Sequence, residues 1–217
     1  MCKYKAVFFD LDGTLADTFG DIAATVNRFL SEAGYPLHTD KEVLDAISFG
    51  RREFIQRSLP IGTPADEVDH AVKRYTELYQ IHFMDTTAPY DGMPALVQKL
   101  KNAGIWVAVV TNKAHVNAVQ MVEAIFPQGL FHRIRGLSDL PAKPAPDSAL
   151  ETAKFLGVDP ADCAFVGDSE LDMLTGRNAG MTPIGVSWGY RPVSVLTENG
   201  ASAVAHTVDE LEGILLH

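Results

Sequence analysis

Tyr4-Lys5-Ala6-Val7-Phe8-Phe9-Asp10-Leu11-Asp12-Gly13-Thr14 is the stretch on which the architecture turns. A short apolar run ends abruptly in two carboxylates and a glycine, the profile of a buried strand and its turn. From 17 to about 84 the rhythm is helical instead. Ile22, Val26, Phe29 and Leu30 recur at helical spacing before Gly34-Tyr35-Pro36. Two shorter amphipathic stretches cover 41–47 and 51–59, and a longer one begins at Pro64. Beyond Pro89-Tyr90-Asp91-Gly92, strand patterns at 105–110, 133–137, 163–166 and 182–186 alternate with helical ones, the last strand reading as the end of the central set. Such alternation implies parallel crossover units with helices on both faces of one sheet. The expected fold is α/β: a Rossmann-like parallel sheet in 1–16 and 86–217, with an inserted α-helical cap in 17–85.

Charge narrows the partners. With 18 Lys and Arg against 28 Asp and Glu, the formal charge is −10. That balance argues against broad binding of nucleic acid or an anionic membrane, which would need a basic face, so neither is expected as a partner. Runs such as 105–110 are far too short to span a bilayer, and no secretory signal is visible before the first strand. Cys2 and Cys163 are the only cysteines and form no disulfide framework, which fits a reducing, cytoplasmic location. An anionic substrate must then be met by local cations or a metal.

In open parallel sheets, ligands bind beyond the carboxyl ends of the strands. The residues that follow the expected strands are Asp10, Asp12 and Gly13; Thr111 and Asn112; Lys143; and Asp168 and Asp172. Asp10 and Asp12 alternate along an extended segment and share a side. Crowded carboxylates do not all stay ionised, so this turn supplies both a nucleophile and an acid. Attack of a carboxylate on phosphorus gives an aspartyl-phosphate that water hydrolyses, while the second carboxylate moves the protons. Gly13 lets backbone amides approach the phosphoryl group. Asp168 and Asp172 add charge that calls for a hard divalent cation, and oxygen-only ligands favour Mg²⁺. Lys143 supplies further positive charge, and Thr111 and Asn112 supply neutral donors. Each piece has a plainer reading: a simple Asp-Gly turn, a helix cap at Asp168 or Ser169, a solvated lysine. Their order along one sheet edge favours the chemical reading.

These four segments resemble, in order, the motifs of the haloacid dehalogenase superfamily, Phe8-Phe9-Asp10-Leu11-Asp12-Gly13-Thr14-Leu15 being the most specific. Thr111-Asn112-Lys113, Asn178-Ala179-Gly180-Met181, Val186-Ser187-Trp188-Gly189-Tyr190 and Val208-Asp209-Glu210-Leu211 look like its phosphoglycolate phosphatase-like branch. The resemblance implies Asp10 as nucleophile and Asp12 as general acid and base. It implies phosphate binding by Thr111, Asn112 and Lys143. Mg²⁺ would be held by the Asp10 side chain, the Asp12 carbonyl and Asp168, with Asp172 close by. The implied substrate is a small phosphomonoester; a β-phosphoglucomutase-like mutase, a pyrophosphatase or a non-catalytic phosphoryl sensor on the same core are the alternatives. Asp12 argues against the dehalogenase branch itself. The cap departs from the branch, which carries Gly-x-Gly where this chain has Ser48-Phe49-Gly50-Arg51-Arg52. Two arginines at a helix start oppose the macrodipole. Arg51 is therefore expected to grip an anionic leaving group and set specificity, with Arg52 solvated.

Overall fold

The computed structural model describes residues 3–47 and 50–217, so Cys2 and the Ser48-Phe49 part of the departing segment lie outside the described residues. The chain divides into two compact units, Met1–Asp17 with Ala88–His217, and Thr18–Thr87.

In the first unit the strands are β1 (Ala6–Phe9), β2 (Ala16–Asp17), β3 (Ala88–Pro89), β4 (Trp106–Ala114), β5 (Arg133–Leu137), β6 (Cys163–Gly167), β7 (Thr182–Val186) and β8 (Ala203–Ala205). Six of them form one sheet in the order β5-β4-β1-β6-β7-β8, every pair parallel. All four residues of β1 are buried because β1 is central, with β4 on one side and β6 on the other. A strand covered on both faces reads as a continuous apolar run rather than an alternating one. The register sets Phe8 beside Ala108 and Phe165. Ala6, Phe8, Ala108, Val110, Cys163 and Phe165 thus share a face, which packs with Ala149 and Ala153. Successive strands step outward from β1 to β4 and β5, then return to its other side as β6, β7 and β8. The order therefore reverses at β1, and its carboxyl end opens onto the crevice where such sheets bind ligands.

Helices of the second unit are α1 (Phe19–Glu32), α2 (Asp40–Ala46), α3 (Arg51–Ser58) and α4 (Ala65–His82). Thr39 starts α2 with a reciprocal capping box to Glu42. On α4, Tyr75 and Tyr79 stack at 5.6 Å, and Phe54 of α3 meets Tyr75 edge-on at the same distance. The buried Asp21 carboxylate closes the unit by accepting from Thr86 N (2.9 Å) and Oγ1 (2.6 Å) and from Thr87 N (3.0 Å) and Oγ1 (2.7 Å). The remaining helices belong to the first unit: α5 (Met93–Asn102), α6 (His115–Ile125), α7 (Asp147–Leu156), α8 (Glu170–Asn178), α9 (Val193–Glu198) and α10 (Val208–Leu216).

Three features differ from the sequence expectation. The strand expected over 182–186 as the last central one is followed by an edge strand that was not expected, β8, which adds to its outer side with Ile184 facing Ala203. Ala-Val-Ala is too short to carry a periodic signal. The strand expected to end at Val110 runs on to Ala114 with a shift of register, so Thr111 and Asn112 lie inside β4 rather than in a loop after it. Polar residues end an apolar run without ending an extended backbone. Finally, β2 and β3 pair antiparallel, Asp17 with Ala88, where no strand was expected.

Candidate active site at the carboxyl edge of the sheet

Asp10 follows the last residue of β1, and its N–H donates to the Val166 carbonyl of β6 at 2.9 Å. The ladder that pairs the two strands therefore also fixes where this carboxylate emerges. Asp168 and Asp172 come from the end of β6 and the first turn of α8. One ligating oxygen from each of Asp10, Asp168 and Asp172 lies within 4.8 Å of the others, and all three residues are buried. Lys143 enters this cluster with its side chain only 4% exposed, its Nζ 2.8 Å from Asp10 Oδ1 and 2.6 Å from Asp172 Oδ1.

Each acid is held by a different device. Thr14 Oγ1 donates to Asp168 Oδ1 and the Tyr190 N–H to Asp168 Oδ2, both at 2.8 Å. Space for Asp168 depends on glycine. Gly13 has φ +83°, and a Cβ there would stand 2.5 Å from Asp168 Oδ2; one on Gly189 would stand 2.3 Å from Asp168 Cβ. Asp172 Oδ2 accepts from Ser169 N at 3.0 Å and Oγ at 2.5 Å, while Ser169 Oγ caps Asp172 N. The plainer reading of Ser169 as a helix cap is thus correct, and the cap also aims the other Asp172 oxygen at Lys143.

Burial and the neighbouring Asp172 charge push Asp10 up to about 6, against the pull of Lys143. Burial first, then the Asp172 and Asp10 charges, push Asp168 up to about 8. Burial would lower Lys143, but the Asp10 and Asp172 carboxylates outweigh it and raise the ammonium. Three carboxylates around one ammonium leave negative charge uncompensated in a buried, all-oxygen donor set. That set fits a hard divalent cation.

Thr111 is buried, and its Oγ1 accepts from Lys113 N at 3.2 Å. The Asn112 amide faces the Lys143 peptide. Its Oδ1 accepts from Lys143 N at 2.8 Å and its Nδ2 donates to the Lys143 carbonyl at 3.2 Å, so the amide clamps the peptide that carries the lysine. The Asp12 carboxylate is not part of the three-acid cluster; Lys113 Nζ lies 2.8 Å from its Oδ1. In the sequence Lys113 stands out only as part of the Thr111-Asn112-Lys113 resemblance, which gives it no role of its own. In the helical unit, Arg51 opens α3 and donates from Nη1 to Thr76 Oγ1 at 3.2 Å. Its neighbours Arg52 and Arg57 meet the carboxylates of Asp69 and Glu53. Gly50, Arg51, Arg52, Glu53, Gln56 and Arg57 line a recess of about 590 Å³.

The haloacid dehalogenase-like hydrolase family model matches residues 7–186, and the chain belongs to this family. It is 32% identical to an N-acetylmuramic acid 6-phosphate phosphatase of Pseudomonas aeruginosa, over 98% of this chain and 95% of the relative. It is 37% identical to a phosphoglycolate phosphatase of Xanthomonas campestris pv. campestris, over 86% of this chain and 85% of the relative. A crystal structure from Lactobacillus delbrueckii subsp. bulgaricus superposes with a TM-score of 0.92 at 30% identity, covering 100% of this chain and 99% of that one.

Proposed function

We propose that this haloacid dehalogenase-like phosphatase hydrolyses a small, phosphoglycolate-like phosphomonoester through an aspartyl-phosphate on Asp10, with Mg²⁺ as cofactor. The observation that carries the reading is the convergence of Asp10, Asp168 and Asp172 on one buried point beside Lys143. Asp10, Asp168 and the Asp12 carbonyl would hold Mg²⁺, with Asp172 alongside. The ion would add positive charge, beside that of Lys143, where three carboxylates meet the phosphoryl group.

An Asp10 oxygen attacks phosphorus as the bond to the leaving oxygen breaks, and Asp12 gives its proton to that oxygen. Asp12 then takes a proton from water as the water oxygen attacks phosphorus. Inorganic phosphate leaves and the Asp10 carboxylate is restored. Lys143 neutralises the phosphoryl oxygens, with Thr111 and the backbone around Gly13 as neutral donors. Asn112 acts one step back, by fixing the Lys143 peptide. Both named relatives are phosphatases of small phosphate esters, which supports the reaction class. Among the described residues no helix is long and apolar enough to cross a membrane.

The test is a panel of phosphate esters with Mg²⁺ or with excess chelator, run on wild type and Asp10→Asn. Turnover of a small ester that stops with chelator, and an Asp10→Asn rate lowered at least ~1,000-fold, is the expected result. Full activity in chelator would remove the metal, and persistence in Asp10→Asn would remove the nucleophile.

A further inference from the structure

The end of β4 is irregular for a reason that bears on Asp12. Its register with β5 shifts between Val110 and Ala114. Gly136 of β5 makes the close approach possible. A Cβ there would stand 2.7 Å from the Lys113 carbonyl and 2.6 Å from His115 Cα. His115 Nδ1 also receives the Gly136 N–H at 3.2 Å. The kinked strand end delivers a lysine that is almost wholly buried, its side chain 4% exposed, onto the Asp12 carboxylate at 2.8 Å. Burying an ammonium is expensive unless a partner fixes it, so this pair holds both side chains in one arrangement. Asp10 and Asp12, two positions apart, are thereby drawn to different cations: Asp10 to Lys143, Asp12 to Lys113.

We infer that Lys113 is a positioning residue: through its ion pair it fixes the orientation from which Asp12 exchanges a proton with the leaving group and with water. The inference rests on the phosphatase reading above and concerns geometry, with Lys113 touching Asp12 rather than the substrate. A misoriented acid slows esters that need protonation to leave and spares those that do not.

The experiment compares Lys113→Met with wild type on an alkyl phosphate and on p-nitrophenyl phosphate, measuring the phosphorylation step under single turnover. Loss of about 10–100-fold on the alkyl ester, with KM little changed and less than about 3-fold loss on the aryl ester, is expected. Equal loss on both esters, or none on either, overturns the assignment. A double-mutant cycle with Asp12→Asn decides the matter even where Lys113→Met folds poorly, because the double variant buries no unpaired charge. Lys113→Met should then cost nothing further in the Asp12→Asn background; a full additional loss means that Lys113 acts elsewhere. Wild type that hydrolyses neither ester would overturn the phosphatase reading itself, a result distinct from an active wild type with additive variants.

Discussion

Asp10 and Asp12 show how far neighbours in sequence can be separated in environment: one is buried among acids beside Lys143, the other faces Lys113 from outside that cluster. At this scale Arg51 gives a discriminating test. Arg52 and Arg57 each meet a carboxylate, whereas Arg51 meets the Thr76 hydroxyl, so its charge is the better candidate for an anionic leaving group. Arg51→Ala should lower kcat/KM for a carboxylate-bearing ester such as phosphoglycolate by about 10–100-fold, the value of a charge-assisted contact. It should leave a neutral aryl phosphate nearly untouched. Equal losses on the two substrates, measured in parallel, would remove Arg51 from specificity.

Elements carry a different lesson, about which groups the sequence makes legible. The carboxylates at the ends of β1 and β6 can be found because each follows a continuous apolar run that only a buried strand explains. Lys113 cannot be found that way. Its partner lies in the turn after β1, 101 positions away, and nothing local separates a buried lysine from a solvated one. The clamp that Asn112 makes is equally hidden, since a one-dimensional reading does not show that the Lys143 peptide lies across from β4. Asp21 gives no signal of its own in the sequence, because an acid in a first helical turn is sufficiently explained by the macrodipole. Its role in the helical unit is larger. Asp21→Ala leaves the Thr86 and Thr87 amides without their acceptor and should destabilise this unit by on the order of 3 kcal/mol. Denaturant titration measures the loss, and hydrogen exchange should confine it to 18–87. Phe8→Ala, in the fully buried core of β1, should cost about 3–5 kcal/mol.

For the molecule as a whole, the acid cluster links stability to pH and to metal. The ordinary carboxyl value is 3.8, while burial and mutual repulsion place Asp168 near 8 and Asp10 near 6. Between about pH 4 and pH 8 the unfolded chain has released protons that the metal-free native site still binds. Metal-free stability must therefore fall as pH rises through this window. Lys143, raised above its ordinary 10.5, stays charged throughout it and does not change the sign. Melting in chelator should consequently occur at lower temperature at pH 8 than at pH 5, and Mg²⁺ should recover more at pH 8, where it no longer competes with protons. A flat metal-free profile would mean that the cluster is not strained. The position of β1 has a further consequence, for the order in which the chain can be assembled. Ala6 pairs with Trp106 and Cys163, partners 100 and 157 positions downstream. During synthesis from the amino terminus, this wholly apolar strand is made before either of its neighbours, so both of its edges stay open until β4 and then β6 emerge. Such non-local pairing slows folding and leaves sticky surface exposed meanwhile. Nascent chains ending before β6 should therefore bind chaperones or aggregate, although they already contain Asp10 and the whole helical unit.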